Sequence, residues 1–151
     1  MIYKKSWKYI LIKDYTIFCI RYNYYRLMAL KDFSNVKRGN LGGYLRCYYN
    51  LSQTGDCWVY DSAQVSGDAR VDDDAKIYGE AKVYGLARIS KDTRVYGHAQ
   101  VLGTARVSDN AKVYGDAQIC GNAQVFGNAV ISGNAYVSGN TQVCGNKIIS
   151  E

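Results

Sequence analysis

Between Cys57 and Ile149 one six-residue word, small–x–(Val/Ile)–x–Gly–(Asn/Asp), recurs with no insertion or deletion. Its aliphatic slot is filled at Val59, Val65, Val71, Ile77, Val83 and Ile89, and then every six residues from Val95 to Ile149. The slot two residues earlier is Ala throughout, apart from Cys57, Thr93 and Thr141, with Lys147 as the one break. A word this short cannot bury its own apolar residues. It must stack on copies of itself, so a short fixed period restricts the chain to a solenoid.

A second period sets the cross-section. Tyr60, Tyr78, Tyr96 and Tyr114 are eighteen apart, as are Arg70, Arg88 and Arg106. The corner Gly is replaced at Asp73, Lys91 and Asp109, again eighteen apart. Three words therefore make one coil, and the expected fold is all-β: a three-sided parallel β-helix of about five regular coils, ~24 Å tall at the usual strand spacing. Within each strand the period of two puts the small residue and the Val/Ile inside and the residue between them outside. Gly at the corner supplies a positive φ, and the Asn or Asp after it bonds its own backbone. Three segments are expected: a basic, aromatic strand or cap over 1–23, irregular entry turns over 24–58, and regular coils over 59–151.

Charge is unevenly distributed. Residues 1–50 hold ten Lys/Arg against Asp14 and Asp32, a net of +8, and nine of the fifteen Tyr. Residues 51–151 hold nine Lys/Arg against eleven Asp/Glu, a net of −2. The N-terminal third thus reads as one or two strands that close the sticky top edge of the solenoid, or as a basic, aromatic arm for nucleic acid. Lys4, Lys5, Trp7, Lys8, Lys37, Arg38 and Arg46 are its candidate contact residues. In the entry turns Leu27, Ala29, Val36, Leu41 and Leu45 are expected inside, and Gly42-Gly43 marks a corner or a close backbone approach. Five cysteines without CxxC or Cys/His spacing are expected as reduced thiols of a cytoplasmic protein. The longest early apolar run, residues 9–20, is cut by Lys13 and Asp14, so neither a signal peptide nor a membrane span is expected.

The repeated word resembles the hexapeptide-repeat, left-handed β-helix family, and its x-Gly-Asp corners are similar to those of carbonic-anhydrase-like members. That resemblance alone implies left-handed coiling, since the general rule for parallel crossovers is right-handed. It also implies trimers and, in many members, acyltransferase activity. Ala29-Leu30-Lys31-Asp32-Phe33, Gly39-Asn40-Leu41-Gly42-Gly43-Tyr44, Asn50-Leu51-Ser52 and Trp58-Val59-Tyr60-Asp61 resemble the entry segment of small phage and prophage hexapeptide-repeat proteins. With the repeats this covers residues 24–149. It implies a mobile-element origin, hence a host bacterial cytoplasm, rather than a reaction.

Against catalysis stands the shortage of groups to perform it. His98 is the only histidine, at a corner, with Glu80 and Asp116 eighteen residues to either side. The three form an expected column about 5 Å apart, a candidate metal or acid–base site. A flat column converges poorly on a metal, and zinc catalysis needs three protein ligands. The uninterrupted hexads leave no room for a loop that would shape an acyl-acceptor pocket. No cofactor and no metal are expected. The outward columns offer more: the tyrosines are a candidate strip for a protein partner. Arg70, Arg88 and Arg106 either take an acidic partner or are neutralised by Asp72, Asp73, Asp74, Asp92 and Asp109.

From Ala117 to Asn146 no residue is charged. Val130, Ile148, Tyr136 and Phe126 are candidate interface residues of a homotrimer. The leading functional expectation is a non-enzymatic module that binds a protein or nucleoprotein of the host, for instance an inhibitor of a defence nuclease such as an anti-CRISPR, or an accessory virion protein. An acyltransferase and a nucleotide- or nucleic-acid-sequestering protein are the alternatives.

Overall fold

The computed structural model describes residues 7–151. Strand β1 (Tyr9–Lys13), helix α1 (Ile17–Tyr22), and strands β2 (Tyr25–Ala29) and β3 (Leu41–Leu45) precede sixteen two-residue strands, β4 (Trp58–Val59) to β19 (Ile148–Ile149), one per word. Each short strand pairs in parallel with the strand eighteen residues on, as Arg94 with Lys112 and Val95 with Val113. The amide of Arg94 donates to Ala111 O at 3.0 Å and that of Tyr96 to Val113 O at 2.9 Å, and the pattern repeats coil after coil. Three sheets result. The first face carries β1-β2-β3-β5-β8-β11-β14-β17, the second β6, β9, β12, β15 and β18, and the third β4, β7, β10, β13, β16 and β19.

The small and aliphatic slots line a narrow core. From Ala63 to Ala135 every Ala of the small slot is fully buried, as are the Val and Ile between them. Each face contributes both a small residue and a β-branched residue to this core in every coil. Corner glycines sit at positive φ, for example Gly97 at 68°. A Cβ there would lie 3.0 Å from Gly115 N and 3.1 Å from its O in the coil below. Stacking as well as φ therefore demands glycine. Asp73, Lys91 and Asp109 hold the same left-handed conformation, and so does Asp61, a fourth replacement. The aspartates have a compensating bond. The carboxylates of Asp61, Asp73 and Asp109 accept from the amides of Gly79, Lys91 and Gly127 in the next coil at 2.9–3.0 Å. Glycine cannot reach those donors.

The top of the solenoid is closed by residues 7–57. β1 pairs antiparallel with β2, β2 antiparallel with β3, and β3 parallel with β5, so the first sheet continues upward into the cap. Where two strands at most were expected over 1–22, the chain forms β1 and then the six-residue α1. Thr16 Oγ1 accepts from Cys19 N, and Asn23, at φ 54°, ends the helix in the left-handed region. Caps at both ends of so short a segment outweigh its β-branched composition.

Two further expectations are corrected. Lys8, read as a contact residue, is buried. Its ammonium donates to Cys57 O at 2.8 Å and Gly55 O at 3.1 Å, and lies 3.3 Å from Cys57 Sγ. It thereby closes carbonyls of the segment that leads into β4, the topmost strand of the third face. Burial lowers the Lys8 pKa and raises that of the Cys57 thiol. Leu41, expected inside, is half exposed, whereas Leu27, Ala29, Val36 and Leu45 are buried. The pair Gly42-Gly43 is a close approach: an added Cβ would lie 2.6 Å from Val59 O at Gly42 and 2.5 Å from Ala63 O at Gly43. Tyr9 completes the cap, its hydroxyl donating to Leu51 O at 2.6 Å and its ring edge-on to buried Trp58.

Candidate functional site

The third face and the corner after it carry the densest set of outward aromatic and cationic groups. Alternation sends Lys76, Arg94 and Lys112 outward, Ile77, Val95 and Val113 inward, and Tyr78, Tyr96 and Tyr114 outward again. A cationic column therefore runs beside a tyrosine column. The tyrosines do not form one continuous ladder. Tyr60 stacks on Tyr78 with centroids 4.6 Å apart and planes 12° apart, and Tyr96 on Tyr114 at 4.8 Å and 7°. Between the two pairs a shallow groove of about 280 Å³ is lined by Tyr78, Tyr96, Arg94 and Lys112. Lys76 Nζ donates to Ser34 Oγ at 3.2 Å. Arg94 and Lys112 make no ion pair among the described residues.

Partial burial raises the pKa of two of these tyrosines, Tyr60 and Tyr96. Burial, with the Tyr78 phenol behind it, pushes the Tyr60 pKa up to about 12, against the hydrogen bond its hydroxyl makes to Asn35. Tyr96 is raised for the same reasons, burial first and then Tyr114. At neutral pH these side chains offer flat rings and hydroxyl donors.

The second face departs from the expected neutralisation. Arg70 does pair with Asp72, Nε to Oδ1 at 2.8 Å, and donates to Tyr49 O at 3.1 Å. Arg88 and Arg106 have no acidic partner among the described residues. Three of the aspartates expected to serve them are engaged elsewhere: Asp73 and Asp109 on corner amides, and Asp74 on the amide of Asp56. Instead the Tyr49 ring lies 5.1 Å from the Arg70 guanidinium and 5.7 Å from that of Arg88. One aromatic ring from the cap thus bridges two stacked cations.

The remaining candidates are scattered. Lys37 pairs with Asp32 at 3.6 Å on an exposed turn, and Arg38 donates its amide to the same carboxylate. That amide bond, then Lys37, holds the Asp32 carboxyl below its usual value. Arg46 lies over Tyr24 at 6.0 Å, and Trp7 meets Tyr48 edge-on at 5.2 Å. Lys4 and Lys5 lie outside the described residues. His98 Nδ1 is 3.3 Å from Glu80 Oε2, and both side chains are about two-thirds exposed. Asp116 makes no ion pair with His98, and the described residues contain no cluster of three His, Cys, Asp or Glu able to hold a metal. Val130 and Ile148 stack in register, Ile148 and Tyr136 are exposed, and Phe126 is half-buried. No helix of the described residues is long and apolar enough to cross a membrane.

Arg94 and Lys112 were absent from the sequence-based contact set. Period eighteen places them in a column, but only the structure shows them flanking the gap between the two tyrosine pairs. The repeat matches the family model described as YdcK Beta solenoid repeat at residues 63–79, 105–121, 117–133, 123–139 and 131–145, all within the regular coils. No curated protein matches the sequence.

Proposed function

We propose that this β-solenoid repeat protein is a non-enzymatic binding module, working through its surface on a protein or nucleoprotein partner. The observation that carries this reading is the groove between the tyrosine pairs, where two cations with no ion pair among the described residues flank stacked rings on a hydrogen-bonded scaffold. Tyr and Arg are enriched among the residues that carry the binding energy of protein interfaces. Two-residue strands bonded above and below hold these groups at fixed spacing, so little ordering entropy is lost on docking. Arg88 and Arg106 on the adjacent face add cationic character, which favours an acidic partner surface.

The resemblance of the entry segment to phage and prophage proteins directs the search to a host bacterial cytoplasm. An inhibitor of a defence nuclease such as an anti-CRISPR, or an accessory virion protein, is the specific form proposed. A homotrimer that covers the uncharged end through Val130, Ile148, Tyr136 and Phe126 is its proposed assembly.

The test is capture from host lysate with wild-type protein and with a Tyr78→Ser, Tyr96→Ser, Arg94→Ser variant. Wild type should retain a protein or nucleoprotein that the variant loses at an unchanged melting temperature. Equal capture by both would overturn the assignment of the surface. Turnover of acetyl-CoA by the wild type, abolished in His98→Ala, would replace it with the acyltransferase reading. For the assembly, Val130→Lys with Ile148→Lys should lower the mass seen in light scattering, and a wild type already monomeric at micromolar concentration would remove the trimer.

A further inference from the structure

A second site lies on the first face, away from the tyrosine groove. Helix α1 does not sit on top of the solenoid. It hangs beside the upper end of the first face, because Phe18 packs edge-on against Tyr44, with centroids 5.8 Å apart. Tyr44 is the residue in register above Gln64, which is itself in register above Lys82 and then Gln100. The helix thus forms an overhang, and beneath it lies a groove of about 580 Å³.

The walls of this groove differ in chemistry. The overhang contributes Phe18, Tyr22 and Tyr24, with the Phe18 and Tyr24 rings stacked at 5.4 Å and 14° and Phe18 also 5.4 Å from Tyr22. The floor is the outward column Gln64, Lys82 and Gln100. The far side is Ser66 and Tyr84, whose hydroxyl is 3.1 Å from Gln100 Oε1. Among the described residues no carboxylate lines the groove. Lys82 is exposed and unpaired among the described residues, and two further cations border the aromatic wall, Arg21 over Tyr22 at 5.6 Å and Arg46 over Tyr24 at 6.0 Å.

We infer that this overhang is a binding site for a nucleoside phosphate. Three features of the groove match three parts of that ligand. Aromatic faces accept any base by stacking, because every base has a π-face. The amides of Gln64 and Gln100 each present a donor pair and an acceptor, the complement of a base edge. Lys82, Arg21 and Arg46 supply positive charge for the phosphate, and no acid in the lining opposes it. The volume lies in the range of small-ligand sites. The comparable groove on the other side of α1, about 370 Å³, differs in that Asp14 lines it beside Lys13.

The site is independent of the proposed partner surface, so the two stand or fall separately. The test is titration of the full chain with AMP and UMP, followed by calorimetry and by amide chemical shifts. Adenosine and inorganic phosphate alone serve as controls, and a short single-stranded oligonucleotide as a separate arm. Saturable binding of a mononucleotide is expected, with shifts at Tyr22, Tyr84 and Lys82. Tyr22→Ser should weaken it by about tenfold, the usual loss for a base-stacking ring. Lys82→Ala should weaken AMP several-fold and leave adenosine unchanged, narrowing the gap between them. Both substitutions are at exposed or half-exposed positions, and an unchanged melting temperature would show the fold intact. Absence of saturation, or affinity that neither substitution changes, would overturn the site. Binding of the oligonucleotide but of neither mononucleotide would overturn it in favour of a strand-binding groove.

Discussion

The regular coils and the entry region bury their residues in different ways. In the coils each residue stacks in register on its counterpart eighteen away, and one rule accounts for Val59 as well as Val143. In residues 7–57 the decisive contacts are singular and distant: Lys8 on the carbonyls of Gly55 and Cys57, Tyr9 on Leu51, Tyr60 on Asn35. The coils resemble a one-dimensional array whose stability accrues from neighbours. The cap resembles a small globular domain, in which each contact is made once. A solenoid can repeat its middle but not its end, because the topmost strand lacks the coil that would satisfy it. The cap residues stand in for that missing coil with an ammonium and a phenol.

That contrast can be broken most sharply in the middle of the array. Val101 is fully buried between Val83 and Ile119. Val101→Asp places a lone carboxylate in the core at a cost of several kcal/mol, and the expected outcome is aggregation or loss of the cooperative melt. A soluble variant with the wild-type melting temperature would refute the inside–outside assignment of all the coils.

A smaller effect is expected at a corner. Gly97→Val forces a β-branched residue to φ 68° and brings its Cβ to 3.0 Å from Gly115 N. The expected loss is about 1–2 kcal/mol or more, read as a lower denaturation midpoint. Lys91→Gly at the equivalent position of another corner should shift the midpoint less, because relief of left-handed strain is offset by greater freedom of the unfolded chain. A loss at Lys91→Gly as large as that at Gly97→Val would mean that left-handed strain does not govern the corners.

The junction between cap and coils should show itself in alkali. Burial raises the Tyr9 phenol well above its usual value and Tyr60 to about 12. Both hold their proton more tightly when folded than when unfolded. Their contribution to stability is therefore complete below about pH 10, the unperturbed Tyr value, and is lost as pH rises from there through the folded value. Lys8, lowered by burial, acts with the opposite sign near its own ordinary value. Comparison with a Tyr9→Phe, Tyr60→Phe variant, which keeps Lys8, isolates the phenols. Wild type should lose melting temperature more steeply above pH 10, and parallel curves would count against the burial argument.

The smallest effect is expected at His98. Its ring and Glu80 are exposed at a convex corner, and surface pairs of this kind contribute about 0–1 kcal/mol. His98→Ala should leave the melt within error, and a drop of several degrees would show that the corner column matters to the array.

Period six and period eighteen were sufficient, from the sequence alone, to specify the coils, their register, the inward Ala and Val, and the corner glycines. Each of those features repeats a local rule, and a local rule repeated sixteen times is legible without coordinates. The corner aspartates were legible as replacements of glycine but not as hydrogen-bond acceptors for the coil below. That role removed Asp73 and Asp109 from the neutralisation of Arg88 and Arg106, which have no acidic partner among the described residues. Lys8 illustrates the limit most plainly. A lysine in a basic N-terminal run reads as a solvated contact group, and its burial is decided only by Gly55 and Cys57, almost fifty residues away. The overhang of α1 likewise depends on Phe18 meeting Tyr44 across the top of a sheet. Tertiary structure decided the cap, the break between the two tyrosine pairs and the groove under α1, because each depends on a contact made once between segments with no common period.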